Sequence, residues 1–141
     1  MDSRDFLRAL YRAAVSAVEP GRLVSEALAR RGSAVVVRSV SDPGHREFVF
    51  VPRRVVALSV GKAAVPMAAA THRALGPRVD DSVVIAPAGV APEELPPGCR
   101  YLPAAHPVPD ERSLAAGREA LALASDLGAE DLLLVLLSGG G

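Results

Sequence analysis

The sequence predicts an α/β fold: a layered, mostly parallel, Rossmann-like sheet with flanking helices, incomplete at its C-terminus. Three apolar runs, at residues 55–60, 82–86 and 132–137, contain little alternation with polar residues. Such runs are typical of strands in a parallel sheet that is covered on both faces. Segments with helical spacing separate them, and parallel neighbours need a crossover long enough to hold a helix. The pattern therefore indicates βαβ units.

The composition limits the classes of protein to which this chain can belong. The chain has 141 residues, of which 50% are apolar, so we expect one domain, residues 1–141. Sixteen basic and sixteen acidic side chains cancel, which gives no long-range attraction to nucleic acid or to an anionic membrane. The longest apolar run is far shorter than the roughly 18–20 residues of a membrane span. Cys99 is the single cysteine, which excludes an intramolecular disulfide and suits a reducing cytoplasm.

The first forty residues predict two helices. A Pro at position 20 suits the first turn of the second helix, which we expect to run to Arg31 and to end at Gly32. Asp2 or Ser3 can cap the first helix, whose apolar residues recur at three- and four-residue spacing. They are Phe6, Leu7, Leu10, Tyr11, Ala14, Val15 and Val18.

The middle of the chain predicts a hairpin and then the first βαβ unit. Two β-branched runs, residues 34–40 and 47–51, flank a turn sequence at 41–44. A central strand at 55–60 ends at Gly61-Lys62, and a helix follows over 63–75.

The second half repeats this pattern. We predict a strand at 82–86, a loop at 87–98 and a short strand near residues 100–102. A helix over 111–127 has Asp110 as its cap and Gly128 as its stop, and a buried strand runs from 132 to 138.

Ligands of parallel sheets bind beyond the carboxyl ends of the strands, which selects two places in this chain. The first is Gly61-Lys62. The chain holds fifteen arginines and one lysine, and that lysine follows a central strand. An ammonium group at a helix start opposes the helix dipole and favours an anion beside it, so Lys62 is our candidate catalytic residue. The alternative is a solvated lysine.

The second place is the run Ser138, Gly139, Gly140 and Gly141, which follows the last predicted strand. Glycines let phosphate oxygens approach backbone N–H groups, and a following helix would add its dipole. We therefore predict that these residues begin a phosphate-binding loop. A glycine-rich linker is the alternative, but a buried strand without a covering helix is a poor domain end, so we expect a truncated domain.

Common nucleotide and metal motifs are absent from the sequence. A P-loop would need glycine where Val56 stands and Ser or Thr where Ala63 stands. No complete G-x-G-x-x-G fingerprint is present, and no histidines or carboxylates have metal-ligand spacing. His106 lies in a loop before a capped helix, where it could touch substrate or simply bond to backbone. Asp110 is better explained as a cap, and His72 is expected on a helix surface.

Three ordered motifs together resemble the glycerate 2-kinase family, whose bacterial members are often labelled hydroxypyruvate reductases. They are Val60-Gly61-Lys62-Ala63-Ala64, then His106-Pro107-Val108-Pro109-Asp110-Glu111, then Leu136-Leu137-Ser138-Gly139-Gly140-Gly141. The resemblance covers essentially the whole chain and implies its amino-terminal portion only, because family members are roughly three times as long.

The resemblance implies transfer of the ATP γ-phosphate to the 2-hydroxyl of (R)-glycerate, with Mg²⁺. It puts Lys62 in the active-site cleft, where it would meet phosphate or the glycerate carboxylate. It puts Gly61 and His106 near substrate, and Ser138 to Gly141 at the start of the phosphate loop. It implies no role for Asp110. We expect this chain alone to be inactive. An NAD(P)H-dependent hydroxypyruvate reductase and a non-catalytic fragment or assembly domain are the alternatives, and the oligomeric state stays open.

Overall fold

The computed structural model describes residues 2–39, 44, 46–90 and 94–138. Four α-helices and seven strands lie in these ranges. In chain order they are α1 (Ser3–Ala17), α2 (Pro20–Ala27), β1 (Leu28–Arg31), β2 (Ala34–Arg38), β3 (Glu47–Phe50), β4 (Val55–Val60), α3 (Ala64–Leu75), β5 (Asp81–Pro87), β6 (Arg100–Ala104), α4 (Glu111–Ser125) and β7 (Leu132–Leu137).

The main sheet has four strands in the order β6-β5-β4-β7, and all neighbours are parallel. β4 lies inside this sheet, and five of its six residues are buried. Helix α3 connects β4 to β5, and α4 connects β6 to β7. The α/β fold class and the parallel βαβ units predicted from the apolar runs are therefore confirmed.

The two faces of the main sheet have separate cores because alternate strand residues point to opposite sides. On one face Val56 and Leu58 pack with Ala116 and Leu123 of α4. On the other face small residues of α3, such as Ala64 and Ala68, pack against β5. The sheet is thus a middle layer between α4 and the α2–α3 pair.

A second, antiparallel sheet has the order β1-β2-β3. It confirms the predicted hairpin, of which turn residues 41–43 lie outside the described part. The prediction that the second helix extends to Arg31 was wrong, because α2 ends at Ala27 and the next four residues form β1. The two-residue turn at Gly32, whose φ is +63°, folds β1 back on β2 with Arg31 opposite Ala34. Strand pairing outweighed the helical spacing of the side chains.

The prediction that residues 132–138 form a buried strand was wrong in its burial. β7 forms where expected, but it is the edge strand of the main sheet in the described part. Val135 is 51% exposed and Leu137 is 70% exposed. The apolar composition therefore predicted the strand but did not predict how far its side chains are buried.

Helix α1 forms as predicted, but none of its residues is buried. Its apolar stripe is exposed, with Leu10 at 56% and Tyr11 at 71%. Asp2 precedes the helix without a side-chain capping bond. The apolar spacing thus predicted the helix correctly, while its packing partner does not lie among the described residues.

Candidate functional site

The two places predicted for chemistry lie side by side at the carboxyl edge of the main sheet. β4 and β7 pair in register, with Val60 opposite Leu137. The residues that follow them, Gly61 and Ser138, are therefore adjacent. The Ser138 N–H donates to the Val60 carbonyl at 3.0 Å, which extends the pairing by one residue. Gly139, Gly140 and Gly141 lie outside the described residues.

Gly61 makes the tight turn that joins β4 to α3. Its φ is +106°, a backbone conformation that residues with a Cβ rarely adopt. Its N–H donates to the Ile85 carbonyl at 2.9 Å, which ties the turn to β5. A Cβ built on Gly61 would come closer than 3.0 Å to Ser138 Oγ. Both the backbone conformation and the closeness of Ser138 therefore require glycine at this position.

The hydroxyl of Ser138 bridges the turn. Its Oγ accepts from the Ala63 N–H at 3.3 Å and donates to the Val60 carbonyl at 3.3 Å. These two partners lie on either side of Gly61-Lys62. The sequence indicated a role for Ser138 only through its glycine neighbours, because a contact across 75 residues has no local signal.

Lys62 is exposed and precedes the first turn of α3. The N-cap residue Ala63 offers no side-chain capping bond, and the first turn contains no acidic residue. Lys62 thus directly precedes the positive end of the helix dipole, and this turn supplies no carboxylate. Such an arrangement favours an anion, which agrees with the sequence argument for Lys62.

His106 lies in the same small pocket as Gly61 and Lys62. The pocket has a volume of about 100 Å³ and is formed by the carboxyl ends of β4, β5 and β6. Ala86 and Ala104 also line it. Three of the residues predicted from sequence are therefore brought together, while Ser138 lies behind Gly61 and does not line the pocket.

Asp110 caps the start of α4. Its carboxylate accepts from the N–H groups of Arg112 and Ser113, and it forms a capping box at the start of α4. The side chain of Arg112 and these backbone bonds lower the pKa of Asp110. Ser113 Oγ also accepts from the Ala105 N–H at 3.0 Å, which attaches the His106 loop to α4. The interpretation of Asp110 as a cap is confirmed.

The sequence predicts His72 on the surface of the helix, but the residue is partly buried. Its Nε2 is buried and has no hydrogen-bond partner in the described part of the chain. Burial lowers the pKa of His72. The side chain is not in the pocket of Lys62.

Larger cavities also occur in the described part of the chain. One, of about 520 Å³, is at the amino ends of β4 and β7 and contains the Arg53–Asp131 ion pair. Another, of about 500 Å³, is an apolar groove between α2 and β7 that reaches Ser138. We take the small pocket as the candidate site instead, because parallel sheets bind ligands at the carboxyl ends of their strands and because Lys62 lines it.

The described residues fit an anion better than a metal. Within these ranges, no group of three or more His, Cys, Asp or Glu side chains could hold a metal ion. The lining of the Lys62 pocket includes no carboxylate. Lys62 and the uncapped start of α3 suit an anion, whereas the described lining of this pocket offers no carboxylate to Mg²⁺. None of the described helices is long and apolar enough to cross a membrane.

Comparison with known proteins identifies relatives over the whole chain. Residues 6–141 match the family described as "Domain of unknown function (DUF4147)". The chain is 30% identical over 141 residues to the glycerate 2-kinase of Pyrococcus horikoshii, covering 100% of this chain and 30% of that protein. It is 35% identical over 144 residues to a putative hydroxypyruvate reductase of Agrobacterium vitis, covering 100% of this chain and 27% of that protein. The chain thus spans less than a third of the length of these relatives.

The fold agrees with this similarity. A crystal structure of a Pyrococcus horikoshii protein superimposes with a TM-score of 0.78 at 30% sequence identity, over 99% of this chain and 30% of that chain. The fold of this chain is therefore found in a solved relative. The chain belongs to the DUF4147 family, and it corresponds to the amino-terminal part of glycerate kinases.

Proposed function

We propose that this chain forms the phosphate-binding part of a glycerate 2-kinase, which transfers the γ-phosphate of ATP to the 2-hydroxyl of (R)-glycerate. The observation that carries the proposal is the position of Lys62, the single lysine, beside the uncapped start of α3 at the carboxyl edge of the sheet. The name of the Pyrococcus horikoshii relative supports the reaction.

Phosphoryl transfer depends mainly on positioned charges. The glycerate oxygen forms a bond to the γ-phosphorus, the bond to the β,γ-bridging oxygen breaks, and the hydroxyl releases its proton to water. Negative charge moves onto the leaving ADP, and a fixed cation that meets this charge lowers the barrier. In our proposal Lys62 supplies this cation.

The remaining predicted residues have supporting roles. Gly61 allows the close turn, and His106 would contact glycerate across the pocket that it shares with Lys62. Ser138 and the three glycines after it would begin the phosphate loop. No step is assigned to Mg²⁺, because the described site lacks carboxylates for it. ATP as the donor and a lone cysteine also favour a cytoplasmic protein.

Two other functions are distinguishable from this one. An NAD(P)H-dependent hydroxypyruvate reductase is suggested by the name of the Agrobacterium vitis relative. The sequence lacks the dinucleotide fingerprint, which counts against hydride transfer. A non-catalytic assembly domain would have neither activity.

The test uses a hybrid protein in which this chain replaces the matching 30% of the Pyrococcus horikoshii relative. We expect the hybrid to phosphorylate glycerate with ATP and the 141-residue chain alone to be inactive. Lys62→Met should lower kcat by about 10²–10³, as loss of one donor to transition-state charge does in other enzymes.

The matched control is Arg73→Met, which removes a cation from the last turn of the same helix. It should leave kcat within about twofold. Unchanged kcat/KM in Lys62→Met would remove this lysine from the mechanism. Oxidation of NADH by hydroxypyruvate, without glycerate phosphorylation, would favour the reductase.

A further inference from the structure

We propose that Ser138 is a positioning residue, which holds the turn that carries Lys62, and that its own hydroxyl does not bind phosphate. This inference rests on the proposed kinase function for its catalytic consequence. It changes the role that the sequence suggested for Ser138, which was the first ligand of a phosphate loop.

The hydrogen-bond donors of Ser138 decide whether this residue can bind phosphate. A serine residue has two, the backbone N–H and the hydroxyl, and phosphate oxygens can only accept. The backbone N–H donates to the Val60 carbonyl at 3.0 Å. The hydroxyl lies 3.3 Å from the same carbonyl and 3.3 Å from the Ala63 N–H. Because the Ala63 N–H is itself a donor, the Val60 carbonyl is the one of these two partners that can accept the hydroxyl proton.

Both donors of Ser138 are thus engaged by one carbonyl oxygen. What remains on Oγ is a lone pair, which repels phosphate oxygen. An anion at this edge must find its donors elsewhere, namely on Lys62 and on backbone N–H groups.

The same two bonds explain what Ser138 does instead. Val60 is the last residue of β4, and Ala63 is the N-cap of α3. A single oxygen therefore joins the residues on both sides of Gly61-Lys62 and closes the turn. The closeness of this oxygen to Gly61 Cα leaves no space for a Cβ. Lys62 thus belongs to a segment whose two ends are both bonded to Ser138.

The first experiment measures the turn in the 141-residue chain and does not depend on kinase activity. Amide hydrogen exchange of Ala63 should become at least about fivefold faster in Ser138→Ala, the effect of losing one hydrogen bond. Ser138→Thr, which keeps a hydroxyl, should restore slow exchange. The Met67 N–H, which bonds to the Ala63 carbonyl, is the internal reference. Unchanged exchange of Ala63 in Ser138→Ala would overturn the proposal.

The second experiment measures catalysis in the hybrid protein. Ser138→Ala should lower kcat about tenfold or more while KM for ATP stays within twofold, and Ser138→Thr should restore kcat. In a Lys62→Met background, Ser138→Ala should cause no further loss, because Ser138 acts through Lys62. Ser25→Ala, in the exposed serine of α2 that bonds to Gly21, should change nothing.

Two results would contradict the positioning role. A raised KM for ATP with unchanged kcat would mean that the hydroxyl contacts ATP directly, and an additional loss in the Lys62→Met background would mean that Ser138 acts independently. A hybrid without any kinase activity would instead refute the proposed function, while the exchange of Ala63 would still decide whether Ser138 holds the turn.

Discussion

Replacement of Gly61 by alanine tests the geometry of the site directly. Two separate penalties are expected. The φ of +106° is a strained conformation for alanine, which costs about 1–3 kcal/mol. The new Cβ would also come closer than 3.0 Å to Ser138 Oγ, and overpacking of this kind costs about 1–3 kcal/mol more. Gly61→Ala should therefore lower the free energy of unfolding by about 2–6 kcal/mol.

A second glycine separates the two penalties. Gly89 has a φ of +104°, almost the same as Gly61, but an added Cβ there would meet nothing within 4 Å. Gly89→Ala should cost only the backbone strain, about 1–3 kcal/mol. In a Ser138→Ala background the nearest atoms to the Gly61 Cβ lie at 3.4 Å, which is ordinary contact. Gly61→Ala should then cost about as much as Gly89→Ala.

The assay is urea unfolding of the 141-residue chain, followed by circular dichroism, for the wild type, the three single variants and the double variant. The cycle should give a coupling free energy of about 1–3 kcal/mol between Gly61 and Ser138. Equal costs of Gly61→Ala in both backgrounds would refute the close approach of Ser138. A cost no larger than that of Gly89→Ala would refute it as well.

Two further predictions concern stability. Leu75→Ala, at a fully buried residue, should lower the free energy of unfolding by about 2–5 kcal/mol, whereas Leu10→Ala in α1, which is 56% exposed, should cost less than about 1 kcal/mol; equal losses in urea unfolding would mean that α1 is packed. Bonds from Arg53 and then from the Gly128 N–H lower the pKa of Asp131, so this stabilisation is complete above the ordinary aspartate pKa of about 3.9 and is lost as the pH falls through the lowered value. Asp131→Asn should therefore weaken the decline in stability below about pH 4; a pH profile identical to that of the wild type would contradict this.

Most of the fold could be predicted from local signals. The apolar run of β4 and the Asp110 cap of α4 depend on neighbours in the sequence, so the strand and the helix were found near their observed positions. β1 was missed because Leu28 continues the helical spacing of α2, while its strand state depends on pairing with β2. Propensity is weak beside such pairing.

The residues of the candidate site also differ in how far the sequence predicts them. Lys62 was predicted because it is the single lysine and follows an apolar strand, and both facts are visible in the sequence. His106 had only an ambiguous local signal, and its place in the Lys62 pocket depends on β6 lying beside β5. The phosphate loop stays a prediction for Gly139, Gly140 and Gly141, which lie outside the described residues.

The sequence by itself determined the α/β class, the Asp110 cap and the single lysine, because periodicity, turn chemistry and residue type act over a few positions. Only the tertiary structure decided that β7 lies beside β4, and with it that Ser138 faces Gly61. The register of these two parallel strands brings Ser138 within hydrogen-bond distance of the Ala63 N–H, 75 positions earlier in the chain. No local sequence pattern encodes such a contact. In the tertiary structure both hydrogen-bond donors of Ser138 also bond to the Val60 carbonyl. We therefore propose that Ser138, which the sequence predicted as a phosphate ligand, holds the turn that carries Lys62.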